Sequence, residues 1–161
     1  MRSVTSVEEL DRLAVLIQSY QRFYLDRCCD AREIRSHFSQ LVPPSEKGFL
    51  LAAWESDSRP LGFCTVYILP SSLSCKTYPC LNDLFVEEDL RGSGIGRTLM
   101  LSASAECRRR GFGAMEWITK HDNLTSQKLY DTLTENRSLW YYYSMKTDFC
   151  EDPSDASSPC L

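Results

Sequence analysis

Three glycines on alternate positions, Gly92, Gly94 and Gly96, stand between an apolar run and a helical pattern. Few folds accommodate such a junction. The full stretch reads Asp89-Leu90-Arg91-Gly92-Ser93-Gly94-Ile95-Gly96-Arg97. Glycine lets the backbone take positive φ and approach a ligand closely. The helix that follows opens with amides that have no partner inside the helix, and the helix dipole adds to their pull on an anion. A pyrophosphate suits that cradle, and Arg91 and Arg97 add cationic donors. The spacing sorts the known phosphate loops: a Rossmann turn needs GxGxxG, but Arg97 stands at its third glycine, and the Walker pattern GxxxxGK[ST] is absent. A turn that merely caps a helix is the competing reading.

The rest of the chain frames this junction. Thr5 with Glu8, or Ser6 with Glu9, has capping-box spacing. Leu10, Leu13, Ile17, Tyr20 and Tyr24 recur at helical spacing, which predicts a helix over residues 7–26. A shorter helix is expected over 31–41, ended by Pro43-Pro44. Residues 48–54 and 61–69 read as an antiparallel hairpin turning at 57–60, with Pro70 as its stop. Residues 70–79 read as a polar loop and 80–86 as a third strand. A helix over 97–110, a strand over 114–119, a helix over 123–133 and a last strand over 139–145 follow. The order argues for a mixed α/β chain, antiparallel first and parallel later.

Charge excludes one class of partner. The net charge is −4, and residues 147–161 account for it with Asp148, Glu151, Asp152 and Asp155. The body is therefore neutral, without the basic face that nucleic acid demands. The run Arg108-Arg109-Arg110 reads as cations at the negative end of a helix dipole. The segment 147–161 is expected to be disordered, leaving one domain over 1–146. No apolar run approaches a membrane span, and MRSVTSVEEL has no apolar leader. The eight cysteines are then expected as reduced thiols in a cytoplasmic protein. There is no CxxC pair, and His37 and His121 lie far apart, so no metal site is expected.

The glycine stretch fits Arg-x-x-Gly-x-Gly through Arg91, Gly94 and Gly96, and it resembles the acetyl-CoA loop of the GNAT superfamily of N-acetyltransferases. Downstream, His121-Asp122-Asn123-Leu124-Thr125-Ser126-Gln127-Lys128-Leu129-Tyr130 is similar to that family's second signature. Upstream, Cys80-Leu81-Asn82-Asp83-Leu84-Phe85-Val86-Glu87 looks like the strand before the loop in spermidine/spermine-type and yeast-type histone and polyamine acetyltransferases. The Tyr20-x-x-Phe23-Tyr24 stretch is similar to the same branch. The resemblance spans about residues 1–146. It implies an α/β (α+β) fold with a six- or seven-stranded mixed sheet, splayed between its fourth and fifth strands and flanked by about four helices. The opening would lie between residues 81–87 and 114–119. A homodimer is a further implication. Two departures stand out: Asn82 replaces a Glu common in relatives, and the Gly-Phe that often follows the Tyr is absent from residues 131–137.

The resemblance implies direct acetyl transfer from acetyl-CoA to a primary amine, of a polyamine- or amino-acid-like molecule or of a protein lysine or N-terminus. Phe85, Val86, Arg91, Gly92, Ser93, Gly94, Ile95, Gly96, Arg97 and Asn123 would bind the cosubstrate. A backbone N–H of Phe85 or Val86 would meet the oxyanion, a contribution of about 3 kcal/mol. Tyr130 would protonate the departing thiolate. Asp83 would hold the amine and relay its proton, with Asn82 orienting a water. For Asp83 and Tyr130 the plain alternatives are a hydrogen-bonded strand residue and a half-buried core tyrosine. A non-catalytic acyl-CoA sensor is the rival function.

Overall fold

The computed structural model describes residues 1–25, 28–56 and 59–145. The acidic segment expected over 147–161 lies outside the described residues. The sheet has five strands in the order β1-β2-β3-β4-β5. These are β1 (Arg2–Ser3), β2 (Gly48–Glu55), β3 (Arg59–Ser71), β4 (Lys76–Val86) and β5 (Glu116–Trp117). The four α-helices are α1 (Val7–Tyr24), α2 (Ala31–Phe38), α3 (Ile95–Arg109) and α4 (Leu124–Asp131). All pairings are antiparallel except β4 with β5, which is parallel.

Capping chemistry sets the helix starts. Ser6 is the N-cap of α1, its Oγ accepting from the Glu9 amide. The Glu9 carboxylate turns back to the Thr5 amide at 2.8 Å and to Arg2. Asp30 and Glu33 form a reciprocal capping box at α2. The apolar stripe of α1 buries Leu10, Leu13, Ala14, Leu16 and Ile17. Together with Ile34 and Phe38 of α2, it covers Leu50, Ala52, Phe63 and Phe85 on one sheet face. On the other face Leu99, Met100, Ala103 and Cys107 of α3 pack on Phe49, Leu51, Cys64, Val66 and Leu81. The middle strands are thus buried on both sides, which explains why 48–54 reads as an unbroken apolar run.

The structure corrects the expected sheet in three places. Among the described residues it has five strands, not six or seven. Residues 70–79 are not a loop: β3 and β4 continue through them as a hairpin, pairing Pro70 with Thr77 and Pro79 with Ile68. The prolines fit because the Ile68 amide donates to the Lys47 carbonyl, on the β2 side. Ile68 and Pro79 therefore form a non-hydrogen-bonded pair with β4, as do Pro70 and Thr77 two residues on, so neither proline owes β3–β4 a donor. Residues 139–145 carry no strand, and Leu139, Trp140, Tyr141, Tyr142, Tyr143 and Met145 are exposed. Their β-prone composition finds no sheet edge to join.

A register shift fixes the face of the key strand. Thr65 pairs with Asp83, but Val66 pairs with Leu81, so Asn82 is an extra residue in β4. One inserted residue reverses which side each later side chain takes. Leu81 consequently packs on the α3 side, whereas Phe85 packs on the α1 side.

Candidate active site

The described pairing of β4 with β5 is confined to Cys80↔Glu116 and Leu81↔Trp117. Beyond Leu81, β4 runs on to Val86 with its outer edge open, which is the expected splay. The Glu87 amide donates to Leu61 of β3 at 3.0 Å. Backbone groups alternate along an antiparallel strand, so the Val86 peptide groups point the other way, into the opening. Consistently, the Val86 carbonyl accepts the Arg91 Nε at 3.2 Å. Of Phe85 and Val86, it is Val86 that offers an amide to the split.

The glycine stretch caps α3. Gly92 and Gly94 have φ of 80° and 88°, and Gly94 is the N-cap, with no side-chain cap bond. A Cβ on either would meet nothing within 4 Å, so the loop surface opens outward. The first-turn amides of Ile95, Gly96 and Arg97 are left for an incoming acceptor, an arrangement suited to the pyrophosphate of acetyl-CoA. A Cβ on Gly96 would lie 3.5 Å from Leu129 Cδ2 and 3.8 Å from Val86 Cγ2. The start of α3, the end of β4 and α4 therefore converge at one point. Ser93 Oγ is turned inward, donating to the Leu90 carbonyl at 2.5 Å.

Asn123 is the N-cap of α4: its Oδ1 accepts from the Ser126 amide at 3.2 Å, and its Nδ2 donates to Thr119 Oγ1 at 3.2 Å. Its side chain thus shapes the turn that aims α4 and keeps one donor hydrogen and one acceptor lone pair in reserve. Tyr130 lies next to Leu129 and packs edge-on to Trp117 of β5, with ring centres 5.4 Å apart. Burial holds the Tyr130 phenol above its ordinary range, against a hydrogen bond with Ser126 that works the other way. Such a phenol keeps its proton at neutral pH and can give it to a stronger base.

Asp83 is buried on the α1 side of the split. Its Oδ1 accepts from Tyr20 Oη at 2.7 Å and from Asn82 Nδ2 at 3.1 Å, and its Oδ2 accepts from Thr65 Oγ1. Burial, then the Asp83 charge, raises the Tyr20 phenol well above its ordinary range, so it stays a donor. Sequence reasoning brought Asp83 and Asn82 forward but missed Tyr20 and Thr65 as their partners. The one available signal was that Tyr20 shares a helical face with Tyr24. Tyr20 also packs edge-on to Tyr24, Phe63 and Phe85, which makes the end of α1 an aromatic wall.

Arg97 lies exposed on the first turn of α3, beside the open amides. Arg91 belongs to the loop by its backbone, but its guanidinium turns toward α1, 4.8 Å from the Phe23 ring centre. Burial pushes Cys64 up to about 12 and Cys107 up to about 11, so neither is a thiolate at neutral pH. No cluster of His, Cys, Asp and Glu suited to a metal occurs among the described residues.

Comparison with known proteins agrees with this geometry. The chain is 29% identical over 119 residues to the uncharacterized N-acetyltransferase YhfO of Bacillus subtilis (strain 168), covering 74% of this chain and 78% of that protein. A crystal structure described as a probable acetyltransferase superposes with a TM-score of 0.75 at 28% identity, covering 92% of this chain and 99% of that one. An aminoglycoside acetyltransferase from an uncultured soil metagenomic sample shares the fold, with a TM-score of 0.69 at 17% identity over 90% of this chain and 95% of that one. The profile of the acetyltransferase (GNAT) family matches residues 13–133. With its sheet splayed beside a glycine-capped helix, this chain belongs to the GNAT family of acetyltransferases.

Proposed function

We propose that this chain transfers the acetyl group of acetyl-CoA directly to the primary amine of a small molecule, polyamine- or amino-acid-like. The observation that carries the reading is the convergence at Gly96, where a helix N-terminus without a side-chain cap, the outward Val86 amide and the helix bearing Tyr130 meet. The pyrophosphate of acetyl-CoA binds the amides of residues 95–97, with Gly92 and Gly94 keeping the approach clear and Arg97 beside it. The thioester then lies in the split. The neutral amine attacks the carbonyl carbon, and the Val86 amide donates to the oxygen as it gains charge. The C–S bond breaks as the intermediate collapses, and Tyr130 gives its proton to the leaving sulfur. The amine's surplus proton passes toward Asp83. Because Tyr20 and Asn82 already occupy that carboxylate, the handover runs through the Tyr20 hydroxyl or a water held by Asn82.

The polyamine and histone branch likeness rests on residues 80–87 and on the Tyr20-x-x-Phe23-Tyr24 stretch. We also propose a cytoplasmic protein, supported by the six described cysteines being unpaired thiols, and a homodimer, supported by the exposed apolar run at 139–145. Sedimentation at micromolar concentration tests the dimer; a sharp monomer boundary would reject it.

Acetyl-CoA titration by calorimetry on wild type and Gly94→Glu tests the reading. Wild type binds, and the variant loses binding because a carboxylate fills the anion cradle. In an amine panel read by thiol release, Tyr130→Phe lowers kcat about 10²-fold or more. A folded wild type that binds no acetyl-CoA would return the loop to a helix cap.

A further inference from the structure

Two cations touch the aromatic wall at the end of α1 without an ion pair to any carboxylate among the described residues. The Arg91 guanidinium is 4.8 Å from the Phe23 ring centre and 5.6 Å from that of Phe85. Among the described residues only its Nε is hydrogen-bonded, to the Val86 carbonyl, which leaves the Nη groups for an acceptor. Lys120, exposed between β5 and α4, holds its Nζ 6.0 Å from the Tyr24 ring centre. Phe23 and Tyr24 are neighbours, with ring centres 4.9 Å apart, and are 55% and 49% exposed. The two cations therefore flank one accessible aromatic surface.

The same wall ends in the opposite charge. One helical turn back, Tyr20 packs on Tyr24 at 5.2 Å and donates its hydroxyl to the buried Asp83. Of the loop's three carboxylates, Glu87 is paired with Arg59 at 2.9 Å, while Glu88 and Asp89 are exposed to solvent and form no ion pair with Arg91 or Lys120 among the described residues. A ligand lying along this wall meets positive charge at the rim, aromatic faces in the middle and a carboxylate relay at the floor. A polycation would place like charges beside Arg91 and Lys120. An amine that carries its own anion matches both ends, and a guanidinium offers a planar fork to a carboxylate.

We propose that the acceptor is an amine bearing an anion, an amino-acid-like zwitterion, with its carboxylate at Arg91 and Lys120 and its amine over Tyr20 and Asp83. The proposal rests on the acetyl-transfer reading above and chooses between the two acceptor classes named there. Lys120 and Phe23 become specificity-determining residues, and Arg91 joins the cosubstrate loop to the acceptor wall.

The test pairs acceptors that differ only in the carboxylate: lysine against 1,5-diaminopentane, and phenylalanine against 2-phenylethylamine. Acetyl-CoA affinity is measured first by calorimetry, then thiol release with each amine. We expect the carboxylated member to lead by at least tenfold in kcat/KM, mainly through KM. Lys120→Glu should erase or reverse the preference while acetyl-CoA affinity and the circular dichroism spectrum stay as in wild type; Lys120→Arg should retain it. A wild type that prefers the diamine, turns over no member of either pair, or keeps its preference in Lys120→Glu would overturn the proposal. Failure to bind acetyl-CoA at all would instead sink the reading of function beneath it.

Discussion

Strands β2 and β3 pair from Gly48↔Tyr67 to Glu55↔Arg59 and carry core on both faces, whereas β5 meets β4 at two residue pairs and α4 buries no side chain fully. The first region owes its order to packing. The region after β4 owes much of its shape to local chemistry, namely the left-handed Gly94 cap and the Asn123 cap. Its anchor is α3, which buries Leu99, Met100, Ala103 and Cys107. A platform packed on both faces thus presents Asp83 and Val86, while β5 and α4 across the split are held by less buried surface. Low local burial marks the elements that open at the lowest free-energy cost.

The largest effect that would sharpen this contrast comes from paired core truncations. Phe63 is fully buried, so Phe63→Ala should cost about 3–5 kcal/mol. Leu129→Ala on the half-buried α4 should cost about 1 kcal/mol or less. Urea unfolding measures both; equal losses would break the distinction. Tyr20→Phe comes next. It strips one donor from the buried Asp83, an expected loss of about 1–3 kcal/mol. If Tyr20 also carries the proton handover, kcat should fall and its pH profile should shift, which a purely structural role would not produce.

The smallest effect is electrostatic and lies away from the split. Arg109 holds the Glu106 carboxylate down to about 2, burial opposes, and Arg110 adds to the pull. A depressed carboxylate contributes stability above its ordinary pKa and loses it as the pH falls toward the folded value. The stability gap between wild type and Glu106→Gln should therefore be constant above about pH 5 and shrink steadily toward pH 2, from about 1 kcal/mol after solvent screening. A gap that widens in acid would refute the pairing. Arg110 also donates to the Ser45 and Gly48 carbonyls, so this cluster ties α3 to the start of β2 and links the two regions.

Much of this architecture is legible before any coordinates. Ser6 with Glu9 marks a helix start, and the Leu10, Leu13, Ile17 stripe marks the buried face of α1. Gly92, Gly94 and Gly96 mark a strand-to-helix turn, and Asn123 and Tyr130 bracket α4. What fails is equally instructive. Pro70 and Pro79 read as loop residues, yet sit in non-hydrogen-bonded pairs of a hairpin. The tyrosine-rich run 139–145 reads as a strand, yet stands exposed. In both cases the outcome hangs on a partner strand rather than on the residues themselves.

The chain's own residues determined its helices, its glycine-capped loop and the chemistry available near it, because propensity, capping and φ act within a few residues. Gly94 at φ 88° is such a case, since L side chains rarely adopt that conformation. Tertiary structure alone decided that Asp83 faces Tyr20, a residue 63 positions away, and that Arg91 turns to Phe23 instead of outward. The extra residue Asn82 sets the face of Asp83, and a bulge exists only once two strands have chosen their register.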